Sequence, residues 1–342
     1  MSHACRNIGL VVTAVIVVLL ANAAASAFTL DQVKQRDELF CGVSSDDYGF
    51  SKPDAEGNWH GLNVDICKAA AAAVLGDAAK VKFVPLTNKT GVTAILSGEV
   101  DLLSMNMEWN MSYDTSIGLN FCGVSFYDGL GFMVPLKRSI TSALELQNSS
   151  VCPDPSNPDF AHLESFFSRH NLQYRIVQVE RVSELKKVVE SGRCDVISGD
   201  ISRLSRLRLQ FSEPDDYQVL PETISRKPLG PVVRQGDDGW FNIVKWVLFA
   251  LKIAEDEGVT SANIETMRAS DDPDIQKLLG VDGIKGKGLG LADDWVVRII
   301  TEVGNYGEIF ERNLGMNSTL SMDRNINEPW NRGGLHYGPS VN

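Results

Sequence analysis

The alternation of apolar and polar positions along the chain indicates one structural unit that occurs twice. In each copy a helical pattern ends at a Ser-Gly pair, Ser97-Gly98 or Ser191-Gly192, and an apolar run begins at the aspartate three residues after the glycine. A glycine just past a helix suits the left-handed C-cap conformation, and the apolar run is typical of a buried strand. The two copies therefore predict two equivalent helix-to-strand connections.

The likeness extends backwards from each Ser-Gly pair. Both copies show the order strand, helix, strand, helix, strand, and each first strand contains a cysteine, Cys41 or Cys152. The first four elements are predicted at residues 39–43, 63–75, 81–86 and 91–96 in one copy, and at 151–152, 160–168, 175–179 and 182–190 in the other. Such alternation is typical of parallel sheets covered by helices, and the alternative is chance recurrence of the Ser-Gly-x-x-Asp pattern. The sequence thus predicts an α/β protein with two similar lobes.

Two later apolar segments, residues 129–134 and 230–234, predict strands that cross between the lobes and form a hinge. Asp237 or Asp238 is expected to cap a helix that begins near Trp240. The remaining predicted features are a loop at 270–290, helices at 293–303 and 307–312, and an irregular tail at 320–342.

The cleft between two such lobes is where we expect a small molecule to bind. Small-molecule sites favour domain interfaces and the carboxyl ends of parallel strands. The loops that follow those strands span residues 44–50, 104–113, 153–159 and 198–202.

The first 27 residues have the pattern of a cleaved signal peptide. Arg6 precedes an apolar run at residues 8–20, and small residues lead to Ala25-Ser26-Ala27, after which we expect cleavage. The alternative is a membrane anchor, but the run is shorter than the roughly 20 residues that a bilayer span needs. Export to an oxidising compartment makes disulfides plausible, and an odd number of cysteines remains once Cys5 is removed with the signal.

Charge and motifs exclude several classes of function. The formal net charge of −12 repels phosphate backbones, so we expect no nucleic acid as a partner. The five histidines are scattered, and the chain contains neither an H-E-x-x-H helix nor a G-x-S-x-G elbow. We therefore expect no enzyme activity, no metal and no cofactor.

Several long strings carry a resemblance to a known family. They are GF and GNW at 49–59, SGEVD at 97–101, YDG at 127–129, PLGP at 228–231, RQGDD at 234–238 and VGNYGEIFERN at 303–313. By these strings the chain resembles the family 3 solute-binding proteins of ABC transporters, and within them the general L-amino-acid-binding periplasmic proteins. The likeness covers nearly the whole chain after the signal peptide.

The resemblance implies a type II periplasmic-binding-protein fold, with two parallel or mixed-sheet lobes joined by a two-strand hinge. Lobe 1 would comprise residues 28–133, lobe 2 residues 134–225, and residues 226–342 would return to lobe 1 with a C-terminal extension. It also implies the disulfides Cys41–Cys67 and Cys152–Cys194. Cys122 would then be free, as a small buried apolar residue.

The residues that usually bind the solute's carboxylate are replaced here. The family's arginine falls at Tyr113, a second arginine of the closest relatives at Met105, and the usual threonine at Glu108. A Gly-Thr-Thr turn whose amides meet the carboxylate corresponds to the stretch from Ser156 to Pro158, and proline has no amide hydrogen to donate.

One element of the family's site remains, because Asp200 stands where the family has its ammonium-binding aspartate. The candidate ligand-binding residues are Asp200, Glu108, Tyr113, Asn106, Trp109, Tyr48, Asp46 and Ser156. Their carboxylates and aromatic rings suit a cation, so our hypothesis is a cationic or amine-bearing solute in a cleft that has lost positive charge. The alternative is that the acids are solvated loop residues and the aromatic residues belong to the core.

The resulting prediction is a monomeric periplasmic binding component of a polar amino-acid-type ABC transporter. It would capture an amino acid or a related amine-bearing or cationic solute by lobe closure and deliver it to permease subunits in the inner membrane. The alternatives are a periplasmic sensor or degenerate paralogue, and, as a weaker one, a dehydratase-like enzyme with Glu108 and Asp200 as an acid/base pair.

Overall fold

Two five-stranded sheets form the centres of two lobes in the computed structural model, which describes residues 28–156, 158–281 and 286–341. The strands are β1 (Leu39–Ser44), β2 (Lys52–Pro53), β3 (Trp59–His60), β4 (Val81–Leu86), β5 (Leu102–Leu103), β6 (Leu119–Phe121), β7 (Phe126–Asp128), β8 (Leu130–Pro135), β9 (Ser149–Pro153), β10 (Tyr174–Ile176), β11 (Val196–Asp200), β12 (Tyr217–Val219), β13 (Lys227–Leu229) and β14 (Val232–Arg234). The helices are α1 (Thr29–Arg36), α2 (Leu62–Leu75), α3 (Asn88–Ser97), α4 (Phe160–Arg169), α5 (Val182–Glu190), α6 (Ile201–Arg208), α7 (Asp238–Asp256), α8 (Ile264–Met267), α9 (Pro273–Leu278), α10 (Trp295–Glu302) and α11 (Tyr306–Asn313). The predicted signal peptide lies outside the described residues.

The two sheets have equivalent strand orders. Lobe 1 has the order β4-β1-β5-β14-β6 and lobe 2 the order β10-β9-β11-β8-β12. In each, the first strand of the repeat lies between two parallel neighbours, and the last two strands in the order run antiparallel to their partners. The predicted pair of α/β lobes is therefore confirmed.

The aspartate of each repeat ties the third strand to the first. A side-chain oxygen of Asp101 accepts a hydrogen bond from the backbone N–H of Phe40 at 2.7 Å, and the same carboxylate pairs with Arg36. In lobe 2 Asp195 accepts from the backbone N–H of Ser150 at 2.9 Å and pairs with an arginine of the segment that precedes β9. Burial raises the pKa of Asp101. The repeat thus places an acid at the same point of both sheets.

The hinge is a short antiparallel ladder between the two sheets. β7 pairs with β13 in the register Phe126–Leu229, Tyr127–Pro228 and Asp128–Lys227. The predicted crossing strands lie one step further along the chain, because β8 pairs with β11 and β12 in lobe 2 and β14 pairs with β5 and β6 in lobe 1. The lobe boundary placed after residue 133 therefore falls inside β8, which belongs wholly to the second sheet.

Both implied disulfides are present, with Cα–Cα distances of 6.2 Å for Cys41–Cys67 and 6.1 Å for Cys152–Cys194. Cys122 is free and buried, and burial raises the pKa of its thiol. The predicted cap of α7 is Asp237, whose side chain accepts from the backbone N–H of Trp240 at 2.9 Å.

One predicted loop contains a helix. Within residues 270–290 the structure has α9, whose N-cap Asp272 accepts from the backbone N–H of Asp274 at 2.9 Å. Pro273 occupies the first helical position, where its missing N–H costs nothing, and Ile275 and Leu278 are buried. None of the helices in the described part of the chain is long and apolar enough to cross a membrane.

The contacts of Asp101 should contribute measurably to the free energy of unfolding. Asp101→Ala removes the acceptor of a partly buried backbone N–H and leaves Arg36 without its carboxylate partner, so we expect the free energy of unfolding to fall by about 2–3 kcal/mol. Urea unfolding followed by circular dichroism measures the change. Asp215, an exposed acid, is the control, and Asp215→Ala should stay within about 0.5 kcal/mol of wild type. Equal losses in the two variants would contradict the assignment.

Candidate solute-binding cleft

A cavity of about 420 Å³ lies between the lobes and has the size of a small-molecule site. It is lined by Asp46, Tyr48 and Lys52 from lobe 1 and by Val182, Arg203, Arg206, Leu207, Leu209 and Gln210 from lobe 2. Arg203 and Arg206 are three residues apart on α6, a spacing that places them on one face of the helix. Helix α6 therefore presents two guanidinium groups to the cleft.

An ion pair between Arg206 and Asp47 connects the two lobes. Asp47 also accepts a hydrogen bond from the Asn106 amide at 2.7 Å, and the Asn106 oxygen accepts from Asn63 at 3.0 Å. The side chains of Arg206 and Asp47 are 23% and 14% exposed. Because this pair is largely shielded from water, it favours the closed arrangement of the lobes.

Arg203 is held by a buried acid of lobe 2. Asp154, which follows β9, pairs with Arg203 and accepts from the backbone N–H and the hydroxyl of Ser156 at 2.9 and 2.7 Å. The predicted residue Ser156 thus shares Asp154 with Arg203, and its hydroxyl donates to Asp154. Its neighbour Asp159 caps α4 by accepting from the backbone N–H of His162 at 3.1 Å.

Two carboxylates and one ammonium group meet where the hinge joins lobe 2. Lys227 Nζ lies 2.7 Å from an oxygen of Asp200, and the ladder places Lys227 opposite Asp128. Asp128 is buried and accepts from the Ser202 hydroxyl at 2.5 Å and from the backbone N–H groups of Ser202 and Gly129 at 3.2 and 2.9 Å. Burial, with a smaller contribution from the charge of Asp200, raises the pKa of Asp128 to about 6.

Two of the predicted aromatic residues pack on the core of lobe 1. The Trp109 ring stacks on Phe121 with centroids 5.5 Å apart and planes at 5°, and its indole N–H donates to Asp114 at 2.6 Å. Tyr113 is half-buried, with its ring centroid 6.3 Å from that of Phe121. Tyr48 differs, since it is 40% exposed and lines the cavity.

Of the eight predicted residues, two line this cavity. Asp46 and Tyr48 line the cavity, although Asp46 is 81% exposed and pairs with Lys52 at 2.9 Å. Glu108 is exposed and lies beside the hinge through a backbone bridge to Leu229, while the backbone N–H of Trp109 donates to Pro228 O at 2.8 Å.

The cleft contains cations that the predicted loss of the family's arginines did not count. Arg203, Arg206 and Lys52 line the cavity, and Lys227 pairs with Asp200. Sequence reasoning missed these cations because it followed the family's arginine positions into the 104–113 loop. The signal that could have found Arg203 and Arg206 is the spacing of three residues between these two arginines, which follow Asp200 in the chain. Among the described residues no cluster of His, Cys, Asp or Glu is placed to hold a metal ion.

Comparison with known proteins gives clear relatives, although no family model matches the chain. It is 47% identical over 327 residues to the general L-amino acid-binding periplasmic protein AapJ of Rhizobium johnstonii, covering 95% of this chain and 96% of that protein. It is 44% identical to the glutamate/glutamine/aspartate/asparagine-binding protein BztA of Rhodobacter capsulatus, covering 94% of this chain and 95% of that one. The chain belongs to the periplasmic amino-acid-binding proteins of ABC transporters.

Solved structures agree with this membership. An ABC transporter periplasmic binding protein from Brucella ovis with glutathione bound is 46% identical, with a TM-score of 0.77 over 92% of this chain and 100% of that one. An ancestral cationic amino-acid solute-binding protein, 23% identical, has a TM-score of 0.52 over 68% of this chain and 97% of that one, and shows the same fold. The predicted type II fold of this binding protein is confirmed.

The ion pair between Arg206 and Asp47 should hold the lobes of the binding protein together without solute. Arg206→Met removes the pair and an interaction of about 1–3 kcal/mol, so the ratio of open to closed molecules should rise by about fivefold or more. Small-angle X-ray scattering should record a larger radius of gyration than for wild type. Arg181, whose pair with Glu184 lies within lobe 2, supplies the control Arg181→Met. An unchanged radius in Arg206→Met would contradict the role of the pair.

Asp128 should make the stability of the binding protein depend on pH. Its pKa is raised from 3.8 to about 6 in the folded protein, so the folded state holds more protons than the unfolded chain between about pH 4 and 6. We expect the free energy of unfolding to fall as the pH rises through this window, by up to about 3 kcal/mol. Asp128→Asn removes the charge and should flatten this part of the profile, measured by urea unfolding of both proteins. Parallel pH profiles of the two proteins would refute the assignment.

Proposed function

We propose that this protein is the periplasmic solute receptor of an ABC transporter and that its solute carries both an amine and a carboxylate. The observation that supports this most is the charge distribution of the cleft. Arg203 and Arg206 face it from lobe 2, while the carboxylates of Asp46 and Asp47 approach from lobe 1. A solute with one group of each sign can interact with both lobes at once.

The names of the relatives support the same class of solute. AapJ is named for general L-amino acids, BztA for glutamate, glutamine, aspartate and asparagine, and the Brucella ovis protein was solved with glutathione. Each of these solutes carries an α-amine and at least one carboxylate. A solute that is only cationic is disfavoured here, because it would bring no carboxylate to Arg203 or Arg206 in exchange for the acids of the protein that pair with them.

Binding without chemistry is the proposed activity. The solute would stabilise the closed lobes by contacts that the open state cannot make, and the inner-membrane permease subunits would recognise the closed monomer. Arg206 can exchange part of its interaction with Asp47 for the solute's carboxylate, because both groups still have exposed surface.

Calorimetric titration of residues 28–342 tests the proposal with L-glutamate, L-glutamine, L-alanine, L-lysine, glutathione and putrescine. We expect at least one amine-carboxylate compound to bind with a Kd of about 10 μM or tighter and putrescine to bind at least tenfold more weakly. Arg203→Ala and Arg206→Ala should each weaken binding by about tenfold or more. The ligand recovered after incubation should have an unchanged mass.

The matched control is Arg181→Ala, which removes an exposed guanidinium group of the same lobe and should leave the Kd unchanged. Binding of putrescine with no binding of any amine-carboxylate compound would overturn the proposal. Conversion of the bound ligand would favour the enzyme alternative instead.

A further inference from the structure

The side chain of Asp200 is already occupied by an ammonium group of the protein. Asp200 ends β11 and precedes α6, a position from which an aspartate commonly caps the helix. It makes no capping hydrogen bond here, and its carboxylate instead lies 2.7 Å from Lys227 Nζ. The side chains of Lys227 and Asp200 are 22% and 18% exposed. Because part of each side chain is exposed to water, a small solute can reach the ion pair between Lys227 and Asp200.

The second acid at this point is not available to a solute. Asp128 is buried, and the hydroxyl and backbone N–H of Ser202 and the backbone N–H of Gly129 donate to its two oxygens. Lys227 therefore has one exchangeable partner, Asp200, and Asp200 has one ammonium partner among the described residues.

The neighbouring loop supplies no cation of its own. Residues 104–113 contain neither lysine nor arginine, and the loop approaches the hinge through the Glu108–Leu229 bridge and the hydrogen bond from the backbone N–H of Trp109 to Pro228 O. Lys227 belongs to the same hinge strand. A solute whose amine binds Asp200 would thus have its α-carboxylate within reach of Lys227, whose Nζ lies 2.7 Å from an oxygen of Asp200.

We propose that Lys227 is a specificity-determining residue. Without solute, its ammonium group pairs with Asp200 in the place of a solute amine. When a solute amine displaces it, Lys227 pairs with the carboxylate of that solute. This inference rests on the proposed function. The exchange is favourable for a zwitterion, because one ion pair is replaced by two. An amine without a carboxylate would leave Lys227 unpaired in a mostly buried position, which is costly. The site would therefore select against amines that lack a carboxylate.

The test compares amino acids with the amines that remain when the α-carboxylate is removed. Titration calorimetry is done with L-glutamine against 4-aminobutanamide, L-lysine against cadaverine and L-alanine against ethylamine, so that none of the three amines carries a carboxylate. For the amino acid that wild type binds most tightly, the Kd of the matching amine should be at least tenfold higher. The ratio of these two Kd values measures the preference for the amino acid. In Lys227→Met the ratio should fall by about tenfold, since the amine gains access to Asp200 and the carboxylate loses its partner.

Three further variants separate this role from a loss of structure. Lys227→Arg keeps the charge and should retain the preference for the amino acid. Lys227→Gln should lose this preference, as Lys227→Met does. The two neutral variants are both made so that one remains if the other does not fold. Lys186→Met removes a lysine whose ion pair with Glu190 lies within lobe 2 and outside the cavity lining, and it should leave the ratio unchanged. A preserved ratio in a folded neutral variant at position 227 would overturn the inference while leaving the proposed function intact. Absence of any binding by wild type would overturn both.

Discussion

The pairing of β7 with β13 is the constraint on which the site depends. Only three residue pairs join the lobes in this ladder, and the chain crosses between the sheets on each of its strands. A ladder this short has few backbone hydrogen bonds to resist bending, so it can act as a hinge between two rigid sheets. The same ladder places Lys227 beside Asp200 and carries the backbone contacts of Glu108 and Trp109. Movement of the hinge and the geometry of the site are therefore coupled.

The lobes could be predicted from sequence because their signals are local. Gly98 and Gly192 adopt positive φ angles of 76° and 74°, as a residue just past a helix often does, and the aspartates that follow tie neighbouring strands in both lobes. The hinge was misplaced by a few residues because an apolar run identifies a strand but not its partner. The segment 130–135 joins the second sheet through β11 and β12, which follow it in the chain by 60 residues or more.

The candidate site was predicted less completely than the fold, for a related reason. Chain position placed the loops at the cleft, but the environment of each side chain depends on distant partners. Trp109 packs on Phe121, and Arg203 faces the cleft while bound to Asp154. Neither partner is visible in the local pattern. The loops after the strands therefore carry fewer cations than α6 and the hinge bring to the cleft.

The cleft shows how an acidic protein can receive an anionic group. The chain has a net charge of −12, yet each cation of lobe 2 and the hinge near the solute position has an acid of the protein as partner: Arg206 with Asp47, Arg203 with Asp154 and Lys227 with Asp200. Asp154 is buried, so its pair is expensive to break, whereas the other two pairs keep exposed surface. Only a solute that carries both charges can exchange partners with those pairs and leave no charge without one. Under the proposed function, selection for a zwitterion would follow from pairing inside the protein.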